Sequence, residues 1–500
     1  MQMPDNMSFV TKDVKVYFAG AGCGKTHALM DEMTELLKVY RPDEIAFVTY
    51  TKKGVSHGIE RAIEANPMLR KEDLVYFKTL HALCFHALNL KSKNVLTQND
   101  MKTFNSRLGF KVTLAEAFEN QTNDDRLLLR YDALRSGSTK DIYLNGQYDE
   151  IRYQRLIKAY ETFKKQTNTV DFYDCLEMFC KRNKPINVKV AFIDEAQDLT
   201  LLQWEVCRIA FSTCEKIVIA GDESQTIFSH SGSSPKTLIS LAEKYNAIKL
   251  EQSYRLPEEV YRFSKGITNL ITDKVDKDFR PVKDVKGFVE RTANRYTLCG
   301  KVMRDFLKNG YSPYRWYFLF RNNCFIDSVA EELDRLLVPY HTHKGFCLNI
   351  RDLAKIKRYE NFRKAGFGTP ETLETFCKKY NIKDINDSFL ESDLIPSPRN
   401  LTYFTYVEKY GIDTLIEMAE KEPFLLLSTT HRVKGGEADF VSVFLDCTQK
   451  VWQNQMTNVD EELRVLYVAC SRAKLGLYLV QSETKYGLDR MVDLIREKVA

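Results

Sequence analysis

Apolar residues in this chain gather in short runs separated by stretches of helical periodicity. Residues 14–18 and 45–49 form two such runs, each followed by a helical pattern, over 26–39 and 55–65. Compact apolar runs suit strands buried on both faces, and their alternation with helices predicts a parallel sheet covered by helices. From about 89 to 165 the strand pattern fades and charged helical segments take over. Within them, Leu156, Ile157, Tyr160 and Phe163 share one helical face. Strand-like runs resume at 188–193 and 216–220. A second set follows at 316–320, 425–428, 441–445 and 477–480. Its first two members are separated by a polar, mostly helical stretch, 344–422, holding the breakers Gly366, Gly368 and Pro370. The pattern predicts an α/β protein with two sheet cores, each carrying a mainly helical insertion.

Composition adds little to that picture. A 44% hydrophobic and 28% charged chain of 500 residues fits an ordinary soluble globular protein of about three domains. The net charge of +5 permits a basic groove without specifying one. No apolar run approaches the ~18 residues of a membrane span, and the first residues lack the pattern of a signal peptide. The 12 cysteines include no C-x-x-C pair, which argues against a zinc ribbon or an iron–sulfur cluster and for reduced thiols in a cytoplasm.

Candidate chemistry changes the picture more. Ala19-Gly20-Ala21-Gly22-Cys23-Gly24-Lys25-Thr26 lies between a predicted strand and a predicted helix. Glycines there let backbone N–H groups curl toward phosphates at a helix N-terminus. Lys25 is expected to reach the β- and γ-phosphates, and the Thr26 hydroxyl to ligate Mg²⁺. Ala19 stands where the strict pattern has glycine. The apolar run through Ile193 delivers Asp194-Glu195-Ala196-Gln197-Asp198 at a strand end. Asp194 is expected to hold Mg²⁺ and Glu195 to act as general base on the attacking water. Cys23, inside the loop, raises the expectation that its oxidation would block nucleotide binding if the thiol is accessible; a small, ordinarily packed residue is the plainer reading.

Further motifs follow in order: Gly221-Asp222-Glu223-Ser224-Gln225-Thr226-Ile227-Phe228, Leu250-Glu251-Gln252-Ser253-Tyr254-Arg255, Thr429-Thr430-His431-Arg432-Val433-Lys434-Gly435-Gly436-Glu437, and Glu462 through Ala473. Together with the phosphate loop and acidic strand end they resemble superfamily 1 helicases of the UvrD/Rep/PcrA type over nearly the whole chain. The resemblance implies two RecA-like P-loop NTPase domains with ATP hydrolysed in the cleft between them. It assigns the first lobe to 1–88 and 166–255, a helical insertion to 89–165, the second lobe to 256–343 and 423–500, and a short second insertion to 344–422. It implies that Gln225 senses the γ-phosphate, Tyr254 stacks on adenine, Arg255 contacts the γ-phosphate, and Gly435 and Glu437 lie near phosphate and ribose. Arg472 would be an arginine finger, a contribution on the order of 10³–10⁵ in rate for phosphoryl transfer. Relatives carry a glutamine some way before the phosphate loop that reads adenine. Only Gln2 lies near that distance here, so GTP stays open beside ATP.

The same resemblance implies a nucleic-acid track through Thr49, Tyr50, Thr51 and Lys52, with Lys53 beside them, then Thr79 and His81, and in the second lobe Arg321, Asn322, Asn323 and His431. Hydroxyls and lysines suit phosphate oxygens, and aromatic rings suit unpaired bases at roughly 1–3 kcal/mol per stacked base. Phe228 stands at a family tyrosine, His230 where the family has a base-stacking tryptophan or phenylalanine, and Ser231 where an arginine often follows. The expected function is an ATP-dependent 3′→5′ DNA helicase using Mg²⁺, acting as a monomer on single strands and single-strand–duplex junctions, with replication or recombination proteins as partners. A translocase that displaces proteins with little unwinding and a recruitment subunit without motor activity remain open. A fused nuclease is not expected in the short stretch after Arg472.

Overall fold

The computed structural model describes residues 8–11, 13–113, 122–138, 149–309, 314–354, 356–357, 400–456 and 458–499. Gln2, the breakers Gly366, Gly368 and Pro370, and most of the second insertion lie outside them, as does the side chain of His230.

Six strands form the first sheet: β1 (Asp13–Ala19), β2 (Ile45–Thr49), β3 (Tyr76–Thr79), β4 (Val190–Ile193), β5 (Lys216–Gly221) and β6 (Ile248–Leu250). Their order is β3-β2-β4-β5-β1-β6, and every neighbouring pair is parallel. Both faces are covered. Val16, Phe18, Ala46, Val48, Ala191 and Ile193 enter one apolar cluster, while Tyr17, Ile45, Phe47, Val190 and Phe192 enter another. This period-two division explains the continuous apolar runs, since each face of a doubly covered strand needs its own apolar set. With all strands parallel, their carboxyl ends share one edge of the sheet, where open α/β sheets bind ligands.

The second sheet contains β7 (Phe288–Thr292), β8 (Trp316–Phe320), β9 (His341–Thr342), β10 (Gly345–Phe346), β11 (Leu425–Thr429), β12 (Ala438–Phe444) and β13 (Ala473–Val480). The order is β10-β9-β11-β8-β12-β13-β7, parallel throughout except for the small β9–β10 hairpin. Two parallel-stranded α/β cores are therefore present, as the alternating pattern predicts, consistent with the two RecA-like domains that the resemblance implies.

The first insertion has a core of its own, in which Phe104, Tyr160 and Phe163 pack with Met101, Leu127 and Leu156. The described ends of the second insertion differ. Leu348, Leu353, Tyr403, Tyr406 and Leu415 join the core beneath the second sheet instead.

The chain divides into two compact units. One holds the described residues of 1–286, 454–471 and 495–500; the other holds those of 287–453 and 472–494. These ranges differ from the sequence ranges, which put 256–286 and 454–471 with the second lobe. The cause is local packing: the helix Glu258–Leu270 packs on the helix Val459–Cys470, whose Val465 and Val468 pack on Ile227 and Phe228.

Candidate nucleotide site and nucleic-acid surface

Strand β1 runs into the glycine loop and the helix Lys25–Leu36 follows at once. Gly22 and Gly24 have φ of 71° and 76°, the left-handed region that favours glycine. At Gly22 a Cβ would lie 2.5 Å from the Cβ of Arg255, so any side chain would also push the following motif away. Gly24 caps the helix, and the Ala28 N–H donates to its carbonyl at 2.9 Å. The loop therefore sits at a helix N-terminus, where backbone donors and the helix dipole favour an anion.

The loop is pinned from two directions. Ser253 Oγ donates to the Ala21 carbonyl at 3.0 Å, and the Tyr254 N–H donates to the Gly22 carbonyl at 2.9 Å. The Ala21 N–H donates to the hydroxyl of Tyr467 at 3.0 Å, a side chain buried in the helix Val459–Cys470. Tyr254 itself is 74% exposed, and its ring edge approaches Gly24. Arg255 Nη1 donates to the Ser471 carbonyl at 3.4 Å. Thus the structure brings the predicted adenine and γ-phosphate residues of this motif directly against the phosphate loop.

The acidic strand end lies beside it. Thr26 Oγ1 donates to Asp194 Oδ2 at 3.0 Å, with Lys25 and Asp194 both buried. A hydroxyl and a carboxylate converging this way form a hard-oxygen pair, which suits Mg²⁺. Burial, and then the neighbouring Glu195 charge, push the Asp194 carboxyl up to about 7. Glu195 holds a φ of 51°, a conformation that costs a non-glycine residue on the order of 1–3 kcal/mol. Gln197 Nε2 donates to its carboxylate, while Gln197 Oε1 accepts from the Asp222 N–H at 3.0 Å. Gln225 Nε2 donates to Asp222 Oδ2 at 2.8 Å. A continuous polar chain therefore runs from the predicted base, Glu195, to the predicted sensor, Gln225.

Cys23 is 3% exposed, and burial pushes its thiol up to about 12. A buried, protonated thiol is a poor target for oxidation, so the oxidation reading gives way to the plain packing one. All described cysteines are free thiols.

Strands β2 and β3 deliver the first-lobe track. Thr49 is buried at the end of β2, and Thr51 caps the helix Lys52–Ala65 by accepting from the Gly54 N–H at 3.0 Å. Lys52 and Lys53 are exposed. Tyr50 stacks on Phe228, ring centroids 5.3 Å apart, so residues 178 positions apart in sequence form one aromatic pair. Thr79 caps the helix Leu80–Ala87 through the Ala82 N–H at 3.3 Å. Burial pushes His81 down to about 4, leaving a neutral ring at physiological pH. Its edge meets Phe172, which is 65% exposed and which the sequence reading passes over.

In the second unit, Arg321, Asn322 and Asn323 follow β8 and are half-buried. Asn322 Oδ1 accepts from the Thr448 N–H at 3.1 Å. His431 lies just beyond β11 and is half-buried. Gly435 has φ of 83°, and Glu437 pairs with Lys474 at 3.3 Å. Arg472 is 2% exposed and donates to the Gly436 carbonyl at 3.2 Å. The unit thus gathers Gly435, Gly436, Glu437 and Arg472 at one place. Three further residues escape sequence reasoning or gain a role only in space: Tyr467, Gln197 and the buried Lys277, which lies against Asp222 and Glu223.

Parts of the chain are similar to known proteins. Residues 5–246 match the family described as UvrD/REP helicase N-terminal domain. A protein of Mycoplasma capricolum subsp. capricolum named "Probable DNA helicase II homolog" is 22% identical over 92% of this chain and 65% of its own length. The Mycoplasma pneumoniae protein of the same name is 24% identical over 95% of this chain and 70% of its own length. The ATP-dependent DNA helicase Rep of Escherichia coli is 26% identical over 50% of this chain and 40% of its own length. The chain thus spans between 40% and 70% of the length of these relatives. Residues 5–246, with the phosphate loop, the acidic strand end and the Gln225 motif inside them, are thus similar to the UvrD/REP helicase N-terminal domain.

Proposed function

We propose that this chain is an ATP-driven DNA motor, a helicase or single-strand translocase moving 3′→5′. The observation that carries the reading is the unbroken path from Thr26–Asp194 and Glu195 through Gln197 and Asp222 to Gln225, ending three residues later at the Phe228–Tyr50 aromatic pair. Nucleotide chemistry and a base-stacking surface share one stretch of backbone there. The names of the relatives, DNA helicase II homolog and Rep, support the same reading.

In this account the loop N–H groups and Lys25 hold the phosphates, Tyr254 stacks on the adenine, and Gly435 and Glu437 meet phosphate and ribose. Thr26 and Asp194 would hold Mg²⁺, which supplies charge neutralisation at the phosphates. Glu195 takes a proton from the water that attacks the γ-phosphorus; the bond to the bridging oxygen breaks, leaving ADP and phosphate. Gln225 reads the γ-phosphate, and Arg255 and Arg472 stabilise the charge that develops on it. Thr49, Tyr50, Thr51, Lys52, Thr79, His81, Phe228, His230, Arg321, Asn322 and His431 follow the strand, with Phe172 as an added stacking ring. The natural setting is cytoplasmic DNA, with the chain acting as a monomer alone or beside replication or recombination proteins. Among the described residues no helix is long and apolar enough to cross a membrane.

Duplexes bearing a 3′ or a 5′ single-stranded tail test the reading. With ATP, the 3′-tailed duplex is expected to separate and the 5′-tailed one to persist. Stripping of a bound protein from a single strand without duplex separation would favour the translocase, for which His230 and Ser231 in place of the family's aromatic and arginine speak. Neither activity, with ATP hydrolysis absent, would leave only the recruitment subunit.

A further inference from the structure

Lys277 is a buried cation beside the proposed nucleotide site that the mechanism above leaves without a task. It comes from a polar loop, yet it is only 8% exposed. Its ammonium pairs with both Asp222 and Glu223, donates to Ser224 Oγ at 3.2 Å and lies 5.1 Å from the centre of the Phe18 ring. Both acids are fully buried. The loop that carries it is anchored independently. The Val275 N–H donates to Glu223 Oε1 at 3.1 Å, and the Ser253 N–H donates to the Arg280 carbonyl at 2.8 Å. Phe279, two residues on, fills the space beside Gly20, where a Cβ would lie 2.2 Å from its ring. This segment therefore underlies the phosphate loop and the Gln225 motif together.

We propose that Lys277 is a positioning residue for ATP hydrolysis: by keeping Asp222 an acceptor-only carboxylate, it fixes the orientation of the Gln225 side-chain amide. The chemistry is direct. An ionised carboxylate offers no proton, so the amide nitrogen of Gln225 must face Asp222 Oδ2, as it does at 2.8 Å. The amide oxygen is thereby turned away from Asp222. A protonated Asp222 could donate to that oxygen instead and would accept the amide either way round. Burial opposes the Asp222 charge, and Lys277, with Lys25 behind it, more than offsets that opposition. Glu223, Cys23 and Tyr467 are the other titratable groups that face this acid or its neighbour, with Arg464 interacting electrostatically with Glu223. Without the lysine, two adjacent buried carboxyls would compete to stay neutral. The inference rests on the proposed ATPase and names a residue that touches no substrate.

The test compares the native chain with Lys277→Met, Lys277→Arg and the Lys277→Met/Glu223→Gln pair, which removes one buried acid along with its counter-charge. Circular dichroism and ADP affinity are measured first, then single-strand-stimulated ATP hydrolysis against pH. ADP lacks the γ-phosphate, so its affinity is expected to stay within about threefold in the folded variants. Their kcat near neutral pH is expected to fall about 10–100-fold and to climb again as rising pH ionises Asp222, a rise beyond any that Asp194 gives the native profile. Lys277→Arg should recover most of the rate. A kcat within twofold of native, or an ADP affinity that falls in step with a pH-flat kcat, would overturn the proposal while leaving the motor intact. A native chain that does not hydrolyse ATP would sink both.

Discussion

At the residue scale, Asp194 sets the terms. Its carboxyl, raised by burial and by Glu195 to about 7, binds a proton in the folded chain that an unfolded aspartate releases near 4. The sign follows from linkage: the contribution to stability is present at acid pH and is lost as pH rises through 7. Asp194→Asn is therefore expected to melt higher than native at pH 8 in metal-free buffer, by roughly 2–4 °C per kcal/mol in a unit this size. It should nevertheless hydrolyse no ATP. Differential scanning calorimetry at pH 5 and 8 checks this, and equal melting shifts at both would contradict it. Tyr467 gives a second case. Tyr467→Phe leaves the Ala21 N–H, fully buried in the loop, without its acceptor, at a cost of about 1–3 kcal/mol. Urea unfolding measures it, and an unchanged midpoint would show that the bond carries no weight.

At the scale of elements, the loop and the aromatic pair make separate demands. Gly22→Ala meets both a left-handed backbone and the Cβ of Arg255, so nucleotide affinity should fall at least tenfold while the sheet stays folded. Fluorescent ADP titration reads the loss. Phe228→Ala and Tyr50→Ala each break the stacked pair without touching the phosphate loop. Single-strand affinity should drop by about 1–3 kcal/mol in either, with hydrolysis in the absence of DNA near the native rate. Equal loss of both activities would mean that the pair is structural. The sequence shows the central strands because burial on both faces leaves them apolar throughout. It hides β3, β6 and β7, edge or near-edge strands such as Ile248-Lys249-Leu250, because exposed positions there carry polar residues.

At the scale of the molecule, the site is legible where chemistry sits in contiguous motifs and illegible where it is assembled by the fold. Lys25, Thr26, Asp194, Glu195 and Gln225 can be picked out because each stands in a short segment at a strand end. Lys277 cannot, since it is 55 residues from Asp222 in a loop of alternating charges, and only the packing of that loop buries it. The same holds for Phe172 beside His81 and for Tyr467, whose partner Ala21 is 446 residues away. The most direct test of the central claim is steady-state ATP hydrolysis with and without single-stranded DNA, in the native chain, Lys25→Ala and Glu195→Gln. The account predicts strong stimulation by the single strand, lost by a factor of about 10²–10⁴ in Glu195→Gln and abolished in Lys25→Ala. Hydrolysis indifferent to DNA, or undiminished in either variant, would contradict it.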